Sequence, residues 1–348
     1  MDLSLASGMS DSESLATHRY KPSMPDSPLC MSQMRIARNR LRVLRERLDR
    51  SGGRDDEAES ISELLRILQD ILRDDEKPVT MNFATVTLAD LSDIGVVGKY
   101  LVSKFKKVTN VAQIVKTENI EAVIRNLHSK LKELYSCVLM DYEGGYRMII
   151  HAILLALPDM ISTEGRVVSI LPAMRLADAG HFIQLSNPST GFQFRFNGHL
   201  DYLVIEYEDV GENKERVVSP GGSLEIEYAL NRSRGRLLVV ERKQQDKSDI
   251  SWITDSFPEA ISQAIALLKC SDRLTEIPFC LSDGKMWIFF ILKLKEDGTL
   301  VYYHSTPLSL DRFTLERSDS ELRVILFLLC QWLKPTDEWK DLFSLDDD

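Results

Sequence analysis

The residues with the clearest potential for chemistry stand at the end of an apolar stretch in the second half of the chain. Residues 237–240 are all Leu or Val, and Glu241, Arg242 and Lys243 follow them. A continuous apolar run is typical of a central strand that is covered on both faces. Because side chains alternate along a strand, we expect Glu241 and Lys243 to project from the same face. A carboxylate next to a buried run requires compensation, either from Lys243 or from a divalent cation held with a second carboxylate.

A second carboxylate precedes this strand along the chain. Asp201 opens the otherwise largely apolar stretch 201–207, and pairing of the two strands would bring it beside Glu241. Mg²⁺ prefers hard oxygen ligands and is usually bound by one or two carboxylates together with water and substrate phosphates. A neighbouring lysine can polarise the attacking water. The pattern therefore predicts either a site for Mg²⁺ (or Mn²⁺) or an ordinary salt bridge between Lys243 and Glu241 at a strand end.

The elements that must position these residues follow a mixed pattern. After residue 165 the helical period gives way to short apolar runs bounded by Gly, Asn and Pro. Predicted strands are 167–170, 192–196, 201–207, 224–228, 237–242, 278–281, 286–294 and 300–303. Helices are predicted at 258–269 and 321–333. This order indicates an α/β domain with an α+β type of mixed sheet over residues 125–340.

The N-terminal part of the chain has a different character. Residues 1–30 are predicted to be a disordered tail. The segment 31–76 is predicted to form two amphipathic helices, 32–49 with six arginines and 57–73 with acidic residues. Opposite charges on the two helices favour a helical hairpin or coiled-coil segment that can self-associate. The alternative is that the arginines contact phosphate groups. The remaining predictions are a helical linker at 77–124, helices at 96–107, 117–135 and 146–157, a helix end at Pro158, and an acidic tail at 341–348.

The order of these elements resembles the core of the PD-(D/E)XK nuclease superfamily. The resemblance is carried by GHLDY at 198–202, VVERK at 239–243, PEAISQA at 258–264 and SDGKMW at 282–287. These motifs are similar to nuclease-like domains of fungal and oomycete proteins, among them C-terminal domains of Crinkler-type effectors. The similarity covers about residues 130–305. Leu200 stands where the superfamily's name has proline, and the N-terminal region shows no recognisable Crinkler-type translocation segment.

The resemblance implies a restriction-endonuclease-like core, a mixed four-stranded sheet flanked by helices, here with an N-terminal helical extension. It also implies that Asp201 and Glu241 ligate Mg²⁺ (or Mn²⁺) and that Lys243 orients or activates water.

Two further site residues follow from the resemblance. Gln263 is expected near the metal or the phosphate, and an ordinary half-exposed polar residue is the alternative interpretation. An acidic residue is expected on the helix that precedes the sheet. Glu143 is predicted for that position because it comes just before the apolar helix 146–157, and Glu133 and Glu164 compete with it.

Two function classes remain after these observations. The first is Mg²⁺-dependent hydrolysis of phosphodiester bonds in DNA or RNA. The second is a catalytically inactive nuclease-fold protein that acts as an interaction module through its N-terminal helices. Glycine-rich phosphate loops are absent from the sequence, which argues against an NTP-driven enzyme.

The composition of the chain excludes further classes of protein. The 348 residues carry a net charge of −10, which excludes a histone-like basic coat but not a locally positive groove. No apolar run reaches the roughly 20 residues of a membrane helix, so no membrane association is expected. Five scattered cysteines favour a reducing compartment, the cytoplasm or the nucleus, and secretion as an effector stays compatible with the sequence.

Overall fold

The computed structural model describes most of the chain beyond residue 54. The described residues are 55–72, 79–103, 118–140, 142–162, 165–175, 183–187, 193–208, 233–241, 254–270, 274–334 and 343–345, with single positions at 37, 41, 44, 217, 230 and 231. The predicted tail 1–30, nearly all of the predicted basic helix 32–49 and the predicted strand 224–228 lie outside the described residues. The two interpretations of the arginine-rich helix therefore both stay predictions.

Seven helices and twelve strands follow one another in the described part of the chain, so the predicted α/β class is confirmed. The elements up to residue 197 are α1 (Asp55–Leu72), β1 (Val79–Asn82), α2 (Leu88–Asp93), β2 (Val96–Ser103), α3 (Glu118–Cys137), α4 (Glu143–Ile161), β3 (Arg166–Arg175), β4 (Ile183–Ser186) and β5 (Gln193–Asn197). The later elements are β6 (His199–Glu208), β7 (Ser233–Glu241), α5 (Phe257–Lys269), β8 (Glu276–Ser282), β9 (Met286–Leu294), β10 (Leu300–His304), β11 (Leu308–Ser309), α6 (Arg312–Arg317), α7 (Ser320–Leu333) and β12 (Phe343–Leu345).

Two mixed sheets organise these strands. The larger sheet has the order β12-β2-β10-β9-β8-β7-β6-β3, with β11 attached to β9, and the smaller sheet has the order β1-β5-β4. Strand β6 is antiparallel to both β3 and β7. Strand β7 runs parallel to β8, and α5 makes the crossover between them. Strands β6 and β7, which carry Asp201 and Glu241, are therefore neighbours inside the sheet.

Hydrophobic layers cover both faces of the large sheet. Leu237 and Val239 of β7 pack in a core cluster with residues of α3, α4 and α7. Leu238 and Val240 pack in a second cluster with α5 and with aromatic residues of the small sheet. None of these four side chains is more than 1% exposed. The apolar run of β7 thus reflects burial on both faces, as its sequence predicted.

Helix α4 extends further than its predicted bounds of 146–157. It runs from Glu143 to Ile161 and contains Pro158, which was predicted to end it. The prediction was wrong because the proline lies in the last turn of the helix, where it lacks a donor of its own but its carbonyl still accepts a hydrogen bond from Ser162. By length and composition α4 is the one described helix that could cross a membrane. Its buried side chains pack in a core cluster with residues of the large sheet.

The prediction of a helix at 96–107 is wrong for residues 96–103, the part of that segment that the structure describes. Residues Val96–Ser103 form β2, which pairs in parallel with β10, and β1 joins the small sheet. The strand contains three valines and one tyrosine, which favour extended backbone. Gly98 leaves room for the neighbouring ring of Tyr302, with which a Cβ atom would collide.

The predicted acidic tail 341–348 also takes part in the fold. Residues Phe343–Leu345 pair with β2 as an edge strand. Phe343 is buried and makes an edge-to-face contact with Trp332 of α7, with 5.4 Å between the ring centroids. Burial of this aromatic ring therefore outweighs the acidic composition around it.

Candidate functional site

Asp201 and Glu241 meet where β6 begins and β7 ends. The backbone N–H of Glu241 donates to Oδ2 of Asp201 over 3.1 Å. The two strands bring these residues together because Tyr202, next to Asp201, pairs with Val239 of β7. The contact joins the Asp201 carboxylate to the main chain of Glu241, and the two carboxylates have different side-chain partners.

Gln263 of α5 holds Asp201 through both ends of its amide group. Its Nε2 donates to Oδ2 of Asp201 over 3.0 Å, and its Oε1 accepts the backbone N–H of Asp201 over 3.2 Å. The side chain is only 1% exposed, so the interpretation of Gln263 as a half-exposed polar residue is wrong. The pairing instead locks the orientation of the Asp201 carboxylate.

Removing this amide should destabilise the protein measurably. In Gln263→Leu, Asp201 loses a donor to its carboxylate and an acceptor for its N–H, and a buried group without its partner costs about 1–3 kcal/mol. Urea denaturation would measure the loss. Gln331 of α7 is the matched control because its buried Oε1 has no hydrogen-bond partner among the described residues. Gln331→Leu should be nearly neutral or stabilising. Equal losses of unfolding free energy in the two variants would contradict the proposed role of Gln263 in holding Asp201.

Arg147 of α4 compensates the charge of Glu241. The Glu241 residue is 6% exposed, and the Nε–H of Arg147 points between its two carboxylate oxygens, at 2.7 and 2.8 Å. Hydrogen bonding to Glu241 raises the pKa of Arg147 above its usual range. The sequence had suggested Lys243 or a divalent cation in this role. Lys243 lies outside the described residues, and the cation that the structure provides comes from a helix remote in sequence.

Glu143 reaches the site through the same arginine. Its Oε1 accepts a hydrogen bond of 2.6 Å from Nη2 of Arg147, one helical turn further along α4. The competing candidate Glu133 pairs with Lys130 on the surface of α3, and Glu164 lies outside the described residues. Of the three acidic candidates, Glu143 is the one that the described structure links to Glu241.

Tyr202 and His151 add a directed chain of hydrogen bonds to Glu241. The hydroxyl of Tyr202 donates to Oε2 of Glu241 over 3.1 Å, and Nε2 of His151 lies 2.8 Å from the same hydroxyl. Burial, followed by the charge of Glu241, raises the pKa of Tyr202. Because the single proton of a phenol is committed to the carboxylate, Nε2 of His151 must be the donor to the phenol oxygen.

Sequence analysis missed Arg147, His151 and Tyr202, although a signal for the first two was present. Glu143, Arg147 and His151 follow one another at intervals of four residues, which places them on one face of a helix. This polar stripe interrupts an otherwise apolar helix. Tyr202 gave no comparable signal because an aromatic residue in a strand is usually explained by packing alone.

The turn between β8 and β9 supports the first turn of α4. Gly284 has a positive φ of 86°, and a Cβ atom there would lie 2.5 Å from the backbone oxygen of Tyr146. The indole of Trp287 is buried and donates to the carbonyl of Gly284 over 3.4 Å. The SDGKMW motif therefore has a structural role in positioning the helix that carries Glu143 and Arg147.

The donor chemistry of the site fits a hard divalent cation. Asp201 and Glu241 offer carboxylate oxygens at the same strand ends, and Mg²⁺ needs only one or two carboxylates when water and phosphate complete its shell. Within the described ranges no group of three or more His, Cys, Asp or Glu side chains forms a metal cluster. Since both oxygens of Glu241 face Arg147, a cation at Glu241 would compete with the guanidinium for the charge of the carboxylate.

Comparison with known proteins does not identify the site. No family model matches the chain, and no curated protein matches it.

Proposed function

We propose that the protein is a metal-dependent phosphodiesterase that hydrolyses DNA or RNA. The observation that carries the proposal is the meeting of three polar residues from three separate elements at one strand end. Asp201 of β6 binds the backbone of Glu241 and the side chain of Gln263. These are the residue types, in the order and on the elements, that the resemblance to PD-(D/E)XK nucleases implies.

The surrounding topology supports a restriction-endonuclease-like core. Strands β3, β6, β7 and β8 are consecutive in the large sheet and form a mixed four-stranded unit. Helix α4 precedes the first of them and α5 joins the last two. The two helices pack in different core clusters, on opposite faces of the sheet. This corresponds to the mixed four-stranded sheet flanked by helices that the resemblance implies.

In the proposed reaction, Asp201 and Glu241 would hold Mg²⁺ or Mn²⁺ at the strand ends. The bound metal would generate a nucleophilic hydroxide from water and offset negative charge on the phosphate. Gln263 would keep the Asp201 carboxylate in one orientation, and Tyr202 would do the same for Glu241. Lys243 is proposed to orient the attacking water, since it follows Glu241 by two residues.

The proposal includes the binding partner of the protein and the cellular compartment in which it acts. The substrate is nucleic acid, and no membrane association is proposed. The described cysteines, Cys137, Cys270, Cys280 and Cys330, are all free thiols, and we propose a reducing compartment, the cytoplasm or the nucleus, as the place of action.

The function is tested directly with the purified full chain. Plasmid DNA and a structured RNA should be cleaved in the presence of Mg²⁺ or Mn²⁺, and EDTA should stop the reaction because the carboxylates alone cannot stabilise the negative phosphate. Agarose and denaturing polyacrylamide gels would follow the products. Absence of cleavage of single- and double-stranded DNA and RNA under both metals would refute the proposal.

A catalytically inactive nuclease fold that serves as an interaction module is the second candidate. The pairing of Arg147 with both oxygens of Glu241 favours it, because an arginine can replace a metal as a permanent structural counter-charge. This candidate predicts no Mn²⁺ binding in calorimetry. It also predicts self-association through the N-terminal helices, which sedimentation analysis would detect.

A further inference from the structure

Arg147 is partly exposed, although its partner Glu241 is buried. The side chain of Arg147 is 42% exposed, against 7% for Glu241. Its Nη2 binds Glu143, whose side chain is 40% exposed. Its Nη1 forms no hydrogen bond with any described residue. The guanidinium therefore lies at the solvent side of the site, and its Nη1 can donate to a further acceptor.

The position of Arg147 conflicts with a metal on Glu241. A cation bound to a Glu241 oxygen would lie close to the Nε–H that now points between both oxygens. Two positive charges a few ångströms apart repel each other strongly at a partly buried site. Binding of the metal in the free protein must therefore break at least part of the contact between Arg147 and Glu241.

A phosphate group offers Arg147 a replacement for the lost partner. The planar guanidinium matches phosphate oxygens with two parallel hydrogen bonds. Nη1 and one N–H of Nη2 share an edge of the guanidinium and would turn toward the substrate. Glu143 would keep the second N–H of Nη2, because Glu143 and Arg147 are one turn apart on the same helix. The displaced arginine thus stays at the mouth of the site.

We propose that Arg147 is a positioning residue with two partners: it neutralises Glu241 when metal is absent and transfers to a phosphate of the nucleic acid when metal binds. This inference rests on the proposed function. Because Arg147 competes with the metal for Glu241, metal binding is weak in the free protein and stronger in the presence of nucleic acid. By thermodynamic reciprocity, the metal strengthens nucleic-acid binding by the same factor.

Mn²⁺ affinity, measured by calorimetry or electron paramagnetic resonance, tests this inference without an activity assay. In the wild-type chain, a cleavage-resistant phosphorothioate oligonucleotide should tighten Mn²⁺ binding about tenfold, within the usual range of coupling between sites. Arg147→Met should bind Mn²⁺ about tenfold more tightly without oligonucleotide, and the oligonucleotide should add little. Arg147→Lys keeps a positive charge for folding and should give an intermediate Mn²⁺ affinity.

Arg166 provides the matched control. It also pairs with a buried glutamate, Glu206, over 3.5 Å and has a similar exposure of 47%, but it lies outside the candidate site. Arg166→Met should leave Mn²⁺ affinity and its dependence on the oligonucleotide unchanged.

The possible failures are distinguishable. If wild-type protein binds Mn²⁺ through Asp201, as loss of binding in Asp201→Asn would show, but Arg147→Met and Arg147→Lys bind it no more tightly, the inference about Arg147 is overturned and the proposed function survives. If neither wild type nor Arg147→Met binds Mn²⁺ in a manner that depends on Asp201, both are overturned.

Discussion

Nucleic-acid cleavage should fall by about 10²–10³-fold in both Asp201→Asn and Glu241→Gln, the range typical for loss of one group that serves to stabilise charge in the transition state. An amide keeps the shape of the carboxylate but removes the negative charge that a divalent cation requires. In Asp201→Asn the hydrogen bond from Gln263 can also be lost. This variant therefore changes the orientation of the side chain as well as its charge, whereas Glu241→Gln changes mainly the charge. Initial rates on a fluorescent oligonucleotide at saturating Mg²⁺ would measure the effect.

Glu206→Gln is the control for the loss of a buried carboxylate. Glu206 lies further along β6, is 3% exposed and pairs with Arg166, as Glu241 pairs with Arg147. Breaking a buried ion pair costs about 3–5 kcal/mol, so circular dichroism must show that each variant is folded at the assay temperature. Folded Glu206→Gln should keep its activity. Cleavage at the wild-type rate by folded Glu241→Gln would remove Glu241 from the mechanism.

Gly235→Ala should destabilise the fold by about 3 kcal/mol, the upper part of the range for overpacking a close-packed interior. Gly235 lies within β7, and a Cβ atom there would collide with the backbone oxygen of Leu333 and lie 3.2 Å from Oε2 of Glu206. A backbone oxygen at the end of α7 cannot rotate away as a side chain could. Thermal and urea unfolding would measure the loss.

Gly144→Ala is the counterpart at an open position. Gly144 lies in α4, and a Cβ atom there would meet nothing within 4 Å. Alanine at a helical glycine stabilises a protein by about 0.4–1 kcal/mol because it restricts the unfolded chain. The two variants should therefore move the free energy of unfolding in opposite directions. Stabilisation by Gly235→Ala would show that α7 is not packed against β7 as closely as described.

The elements of the sheet domain were largely predictable from the sequence. The predicted strand 286–294 coincides with β9, and the helix predicted at 258–269 differs from α5 by one residue at its start. These segments are long, apolar and bounded by Pro, Gly or Asp, so that local preference and tertiary packing favour the same structure. Strand β2 was not predictable in this way, because its backbone is extended by pairing with β10 and β12, which are more than 190 residues later in the chain.

The sequence by itself determined which polar residues stand at strand and helix ends. An isolated acid beside an apolar run, such as Asp201 or Glu241, is conspicuous because burial of a charge needs a reason. The partners of these acids were decided only by the tertiary structure. Arg147 lies 94 residues before Glu241 in the chain, whereas the sequence pointed to Lys243, which follows Glu241 by two residues. Packing of the apolar sides of α4 and α5 on the sheet brings Arg147 to Glu241 and Gln263 to Asp201. These contacts span 94 and 62 residues, so no local pattern in the sequence encodes them.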